Sequence, residues 1–213
     1  MRRRCRLLVA LAYELVWPLS NRRGPICYEV VSLPPDTEAD PRAEAVHGIS
    51  VAASCTRGRP VAAVLCALFH CLDVYQPRAV VGHDVVGDVH LLVSEAVRCG
   101  CVSGRLPAAL SRLVCTRMLA THRCAIPRPG PPAPPLRRRP GAAAAARRPG
   151  FKWPSLRETY RLLVRDGGVP PVHPDHDARG DVERCREVFL SILHQTRPPA
   201  SAAGPPSSGG CSA

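Results

Sequence analysis

Two acidic stretches of the sequence contain the residue types of a hydrolytic metal site. In residues 80–92, VVGHDVVGDVHLL, Asp88 falls in the first turn of a predicted helix, just after a short predicted strand and a Gly-His corner. In residues 173–189, HPDHDARGDVERCREVF, Asp181 falls at the edge of the apolar face of another predicted helix, and His176 precedes that helix. An inward-facing carboxylate must be paired, protonated or bound to a metal ion. Taken singly, each aspartate is more often a helix cap or half of an ion pair.

In their order along the chain, these stretches resemble motifs of the DnaQ-like (DEDDh) 3′–5′ exonucleases. Residues 80–88 are similar to the second motif of that family, with Asp84 in place of its Asn, and residues 176–181 are similar to its third motif, H-x-A-x-x-D. The resemblance extends over roughly residues 6–195, and its other matches are short: AVHGIS at 45–50, VCT at 114–116 and KWPSLRETY at 152–160. It implies an RNase H-like fold.

The resemblance also implies a two-metal-ion mechanism. In such enzymes, carboxylates hold two Mg²⁺ or Mn²⁺ ions, one of which activates water while the other stabilises the leaving oxygen. Carried over by position, Glu14, Asp88 and Asp181 are the expected metal ligands, and His176 is the expected general base. The expected activity is a 3′–5′ exonuclease that releases nucleoside 5′-monophosphates from the 3′ ends of DNA or RNA.

The first motif of the family, Asp-x-Glu at the end of a central strand, is degenerate here. The matching strand end reads Ala12-Tyr13-Glu14, so alanine occupies the position of a metal-binding aspartate. The triplet at residues 36–38, DTE, has the right spacing, but it follows two prolines rather than a strand. Losing one ligand weakens metal binding. We therefore expect impaired hydrolysis, and the alternative is a catalytically inactive nucleic-acid-binding protein on an exonuclease scaffold.

Positive charge is concentrated in one part of the chain. The formal net charge is +12, and residues 96–157 contain 13 Arg or Lys and no Asp or Glu. This zone predicts a polyanionic partner, although Ala, Pro, Gly and Arg share GC-rich codons, so nucleotide bias is an equal alternative. The residues expected to contact nucleic acid are Arg137, Arg138, Arg139, Arg147, Arg148 and His83. A third interpretation is a PxxP-type ligand for a partner protein within residues 127–140.

Short predicted strands alternate with helices, which indicates a mixed α/β fold. Residues 7–12 are continuously apolar and predict a strand buried on both faces. Further strands are predicted at 27–33 and 79–81, and helices at 60–72, 88–97, 107–120, 155–164 and 177–194. We expect a single exonuclease-like domain formed by residues 1–126 and 151–196. Residues 127–150 predict a Pro/Arg/Ala-rich disordered insertion, and residues 197–213 a disordered tail.

The 11 cysteines do not form a zinc or disulfide pattern. Cys99 and Cys101 form a lone C-x-C, and several others lie in apolar segments, as small core residues do. We expect reduced thiols and an intracellular protein of the nucleus or cytoplasm. The basic start imitates a signal peptide, but its apolar run is short for one. No apolar run approaches the length of a membrane span, so no membrane partner is expected.

Overall fold

The structure, a computed structural model, describes residues 7–34, 36–38, 40–101, 107–128, 150–164, 172–174 and 176–196. This part of the chain is a mixed α/β protein, as the sequence predicted, and it contains seven helices and small sheets. The first elements are β1 (Ala10–Tyr13), β2 (Val16–Trp17), β3 (Arg22–Arg23), β4 (Cys27–Val30), α1 (Pro41–His47), α2 (Val51–Arg57) and α3 (Val61–Tyr75). They are followed by β5 (Val80–Gly82), α4 (Val85–Arg98), a 3₁₀ turn (Ala108–Ser111), β6 (Leu113–Cys115), α5 (Thr116–Cys124), α6 (Leu156–Leu163) and α7 (Ala178–Thr196).

The strands form three separate two-stranded sheets. β1 pairs antiparallel with β4, with Ala12 opposite Tyr28, and β2 pairs with β3 in a hairpin that follows Glu14. β5 and β6 are parallel, with Val81 opposite Val114. Within the described ranges, β1 therefore has a neighbouring strand on one side only. The predicted strand at 7–12 is shifted to Ala10–Tyr13, and its residues are half-buried rather than fully buried.

Most of the core lies between α3, α4 and the strands. Val64, Leu65 and Leu68 form the buried stripe of α3, while Val85, Val89 and Leu92 form that of α4. Their spacing of three and four residues puts them on one helical face, and burying each such side chain contributes about 1.5–3 kcal/mol. A smaller cluster joins α5, α6 and α7 around Ala120, Val188 and Ile192. α7 also packs against β1 and β5, so this helix connects the two parts of the molecule.

The predicted helix at 107–120 is wrong over its first half. Residues there form a 3₁₀ turn and β6, and α5 begins only at Thr116. The apolar spacing was compatible with a helix, but pairing with β5 holds Val114 extended, since Val80 N donates to Arg112 O (2.8 Å). Helices α1 and α2 were not predicted. Their signals were the caps: Asp40 accepts from Arg42 N (3.0 Å), and Ser50 accepts from Ala53 N (3.1 Å).

The two ends of the predicted insertion meet. Pro127 forms an antiparallel bridge with Phe151, and Lys152 N donates to Ile126 O (3.0 Å). Residues 129–149 of the insertion and the predicted tail, 197–213, lie outside the described residues.

The cysteines of the described ranges are free thiols. Within these ranges, none of the helices has both the length and the apolar character that a membrane crossing requires.

Candidate functional site

A tight corner between β5 and α4 places two aspartates side by side. Asp84 adopts a positive φ (109°), and its carbonyl accepts from Gly87 N (2.8 Å) and Asp88 N (3.2 Å), which opens the helix. Glycine is required at position 82, because a Cβ there would lie 2.9 Å from the Cβ of Val85. The Asp84 carboxylate pairs with Arg117 of α5. The Gly-His-Asp corner thus presents two carboxylates one helical turn apart.

Asp88 is an exposed residue whose carboxylate lies near Asp84 and Arg117 and is partly desolvated by the protein around it. Burial, followed by the negative charge of Asp84, raises the pKa of Asp88, and the Arg117 guanidinium lowers it in part. A carboxylate with a raised pKa beside a second acid is the electrostatic state that a bound cation would relieve.

The ring of His83 is half-buried, and each of its nitrogens has a hydrogen-bond partner. Its Nε2 lies 3.0 Å from Pro154 O and its Nδ1 lies 3.0 Å from the Thr116 hydroxyl. A carbonyl oxygen only accepts, so Nε2 donates to Pro154 O. The Thr116 hydroxyl, which lies against Nδ1, also donates to Gly82 O (3.2 Å). Burial is the main cause that lowers the pKa of His83, which favours the neutral ring. His83 was expected to contact nucleic acid; here its Nε2 binds the segment after the insertion, at Pro154, and its Nδ1 contacts Thr116 at the start of α5.

The loop before α7 is fixed by that helix. Glu183 accepts from Val172 N (2.9 Å), and the Arg184 guanidinium donates to the carbonyls of His173 and Pro174 (3.2 Å each). Gly180 permits this approach, because a Cβ there would lie 2.4 Å from Pro174 O. The next described residue, His176, is exposed and has a positive φ (65°).

His176 and Asp181 line one cleft. Its volume is about 240 Å³, and its other walls come from residues 7–10, Tyr28 and Leu91. Asp181 has a side chain that is 46% exposed and lies 3.7 Å from the Arg184 guanidinium. The structure therefore brings the expected base and one expected metal ligand together at the start of α7, as the sequence pattern predicted for that helix.

Glu14 is engaged by a buried arginine. Its Oε2 accepts from Arg186 Nη1 at 2.7 Å, and the two side chains are only 3% and 9% exposed. Arg186 also donates from Nε to Glu187 (3.0 Å). Sequence reasoning missed Arg186, although an arginine on the apolar side of a helix indicates a carboxylate partner. Here that partner is the residue expected to bind metal.

Cys185 lies among these acidic groups. Its Sγ is 3.8 Å from the Thr116 hydroxyl, and burial raises its pKa to about 12. Burial is the largest cause of this rise, and the negative charges of Asp88 and Asp181 contribute to it. The next residue, Arg186, pairs with Glu14.

The described residues do not fit a two-ion centre. Ala12 offers no donor atom, and the Glu14 carboxylate is paired with a guanidinium. Across the described ranges, no group of three or more His, Cys, Asp or Glu side chains is arranged to hold a metal ion. In the same ranges, β1 forms strand hydrogen bonds with β4 alone.

Some expected site residues cannot be placed. Arg137, Arg138, Arg139, Arg147 and Arg148 all lie outside the described residues.

The chain was compared with known proteins, and no family model, no curated protein and no solved structure matches it.

We expect Arg186→Met to destabilise the protein by roughly 3–5 kcal/mol, because it leaves the Glu14 carboxylate buried without a partner. Urea unfolding measures this loss. The double variant Glu14→Gln/Arg186→Met should recover much of it. The matched control is Arg59→Met, which breaks an exposed pair with Glu29 and should cost less than about 1 kcal/mol. Equal losses in both single variants would contradict the buried pair.

We expect Asp88→Asn to stabilise the protein at pH 7. The folded-state pKa of Asp88 is raised, so folding favours the protonated carboxyl, and its contribution is lost as the pH rises through that pKa. Asparagine removes the penalty by less than about 1 kcal/mol, since solvent screens the site. Urea unfolding at pH 7 and pH 3 checks this, and the gain should vanish at pH 3. A loss of stability at pH 7 would show that the charge is favourable there.

Proposed function

We propose that this chain is a nucleic-acid-binding protein on an RNase H-like, DnaQ-like exonuclease scaffold, and that it holds 3′ ends without two-metal hydrolysis. The observation that carries the proposal is the buried ion pair between Glu14 and Arg186, two residues from Ala12. The guanidinium supplies the positive charge that a metal ion would otherwise bring to Glu14. A metal ion that displaced this guanidinium would leave the buried charge of Arg186 unpaired, which costs several kcal/mol.

Features of the fold support this scaffold. An antiparallel pair, β1–β4, and a parallel pair, β5–β6, both contact α7, and α3 and α4 pack against the strands. The resemblance implies a mixed sheet flanked by helices, in which these two pairs would be neighbours. The Gly-His corner precedes α4 and His176 precedes α7, in the order of the second and third motifs.

A basic surface with an exposed aromatic ring favours nucleic acid as the ligand. The Arg117 guanidinium lies 4.7 Å from the ring centroid of Trp153, and that tryptophan is 65% exposed. Arg123 lies in the last turn of α5, where it donates to Gln195, and Lys152 precedes the tryptophan and pairs with Glu158. Phosphates would therefore compete with the carboxylate partners of Arg117 and Lys152. Cationic side chains neutralise phosphates with little sequence preference, and an exposed aromatic face stacks on any base.

Binding should weaken steeply with salt. We expect the neutralised triplet Arg137/Arg138/Arg139→Ala to lower the slope of log affinity against log salt by about 2 for single strands, at roughly 0.7 per phosphate contact. Fluorescence anisotropy with a labelled oligonucleotide in EDTA measures the slope. The control is Arg2/Arg3/Arg4→Ala, which removes the same charge outside the basic zone. Equal slopes in both variants would exclude a specific role for the 137–139 triplet.

A working 3′–5′ exonuclease is the second candidate. The specific observation in its favour is that the pKa of Asp88, which lies beside Asp84, is raised. The negative charges of Asp88 and Asp181 both act on the Cys185 thiol. Such an acidic pair can bind one divalent cation even where a two-ion centre does not fit. His176 would then be the group to accept a proton from water.

An end-labelled oligonucleotide assay in Mg²⁺ and Mn²⁺ separates the two candidates. We expect no release of nucleoside 5′-monophosphates from the natural chain, because Glu14 is neutralised and Ala12 lacks a carboxylate. Release that disappears in Asp88→Asn but persists in Asp73→Asn, an exposed control on α3, would establish the exonuclease instead. New release in Ala12→Asp would show that the scaffold is otherwise intact.

A further inference from the structure

Two thiols meet at the carboxyl end of α4. Cys99 follows the last turn of this helix, and Cys101 comes after it with one glycine between them. Their Sγ atoms lie 3.0 Å apart, which is about 1 Å more than the length of a disulfide bond. Both side chains are half-buried and pack against the core that α3 and α4 form. The proposed nucleic-acid function uses neither thiol.

A tight turn holds the two thiols at this distance. Cys101 N donates to Ala96 O (2.9 Å), Gly100 N donates to Val97 O (3.2 Å), and Gly100 has a positive φ (70°). These two hydrogen bonds and the left-handed residue define a Schellman turn, which closes the end of a helix. A left-handed residue keeps the Cα atoms on either side of it roughly 5.4 Å apart, as in a helix of opposite hand, and this separation suits a disulfide.

The contact between the thiols also sets the order in which they react. The hydrogen bond with Cys99 is the largest cause that raises the pKa of Cys101, followed by burial and a hydrogen bond with Cys66 of α3. Cys101 therefore retains its proton while Cys99 is free, and Cys99 attacks first. Once Cys99 is bound to another sulfur, that largest cause is removed, and Cys101 ionises more readily.

We propose that Cys99 and Cys101 form a reversible thiol–disulfide exchange site whose substrates are small disulfides such as glutathione disulfide. The Cys99 thiolate attacks one sulfur of the small disulfide, which breaks its S–S bond and releases one thiolate. The Cys101 thiolate then attacks Cys99 Sγ, which forms the Cys99–Cys101 bond and releases the second thiolate. Two protein thiols become one disulfide, and their two electrons and two protons convert the small disulfide into two thiols.

The Cys99–Cys101 bond is suited to exchange rather than to stabilising the fold. It closes a loop of three residues, and so short a loop gains little from restricting the unfolded chain. It also joins no second element to α4. Disulfides of this labile kind exchange with thiols, whereas structural ones resist reduction. The carboxyl end of a helix does not favour a thiolate, so exchange becomes faster as the pH rises.

Peptide mapping after equilibration with glutathione and glutathione disulfide at pH 8 is the first test. Trypsin cleaves after Arg98 and Arg105, so both thiols lie in one peptide, residues 99–105, and Cys66 lies in another. After alkylation of the free thiols, we expect mass spectrometry to find peptide 99–105 with an internal disulfide. A cross-link from this peptide to Cys66, or glutathione retained on it without an internal disulfide, would overturn the proposal.

The same equilibration in concentrated urea isolates the contribution of the turn. We expect the equilibrium constant for forming the disulfide to be at least about tenfold larger in the folded chain, because the fold raises the effective concentration of one thiol at the other. Equal constants in the folded and the unfolded chain would show that the structure does not prepare this pair, and the proposal would fail.

Variants of Gly100 sharpen the result. Among the described residues, no atom lies within 4 Å of a Cβ placed on Gly100, so a side chain there changes only the preference of the backbone. Asparagine tolerates a positive φ and valine opposes it. We expect Gly100→Val to lower the equilibrium constant about fivefold, because the dithiol leaves the turn, and Gly100→Asn to change it less than about twofold.

Equal constants in the two Gly100 variants would contradict the role of the turn. If Gly100→Val does not fold, the comparison of the natural chain with and without urea still decides.

Discussion

The sheets of the described part contain two strands each, and a two-stranded sheet does not persist in water without support. That support comes largely from α7. The helix carries Arg186 to the end of β1, Cys185 to Thr116 after β6, and Val188 and Ile192 into the cluster with α5 and α6. Each of these contacts joins a different element to one helix. The positions of the corner, the cleft and the end of β1 therefore all depend on the position of α7.

Arginine neutralises the acidic residues of this region. Glu14 pairs with Arg186, Asp84 with Arg117 and Asp177 with Arg179, and Arg184 lies near Asp181. The pair at Asp177 holds the pKa of that carboxyl at about 2, chiefly through the hydrogen bonds from Arg179. A protein whose acids have built-in counter-ions has less need of metal ions to balance them. At Asp88, burial and the charge of Asp84 outweigh the nearby Arg117 guanidinium, and the pKa is raised.

The sequence was informative where local patterns decide the structure. The apolar stripes of α3 and α4 have the spacing that predicts helices, and the Gly-His corner and the His176–Asp181 segment have motif-like order. The helix predicted over residues 113–115 was wrong, because pairing with β5 overrode a helix-compatible pattern. Helices α1 and α2 were missed, because their signals were single caps. Glu14 shows a further limit: its type and position suggest a metal ligand, but its role depends on Arg186, 172 residues away.

The bridge between Pro127 and Phe151 has a consequence for how this chain can vary. Because the two ends of the segment at 129–149 already touch, its length has little effect on the rest of the fold. The entropic cost of closing a loop rises by only about 0.6 kcal/mol for each doubling of its length. We therefore expect a change in the length or composition of residues 129–149 to leave the contacts of His83, Arg117 and α7 in place.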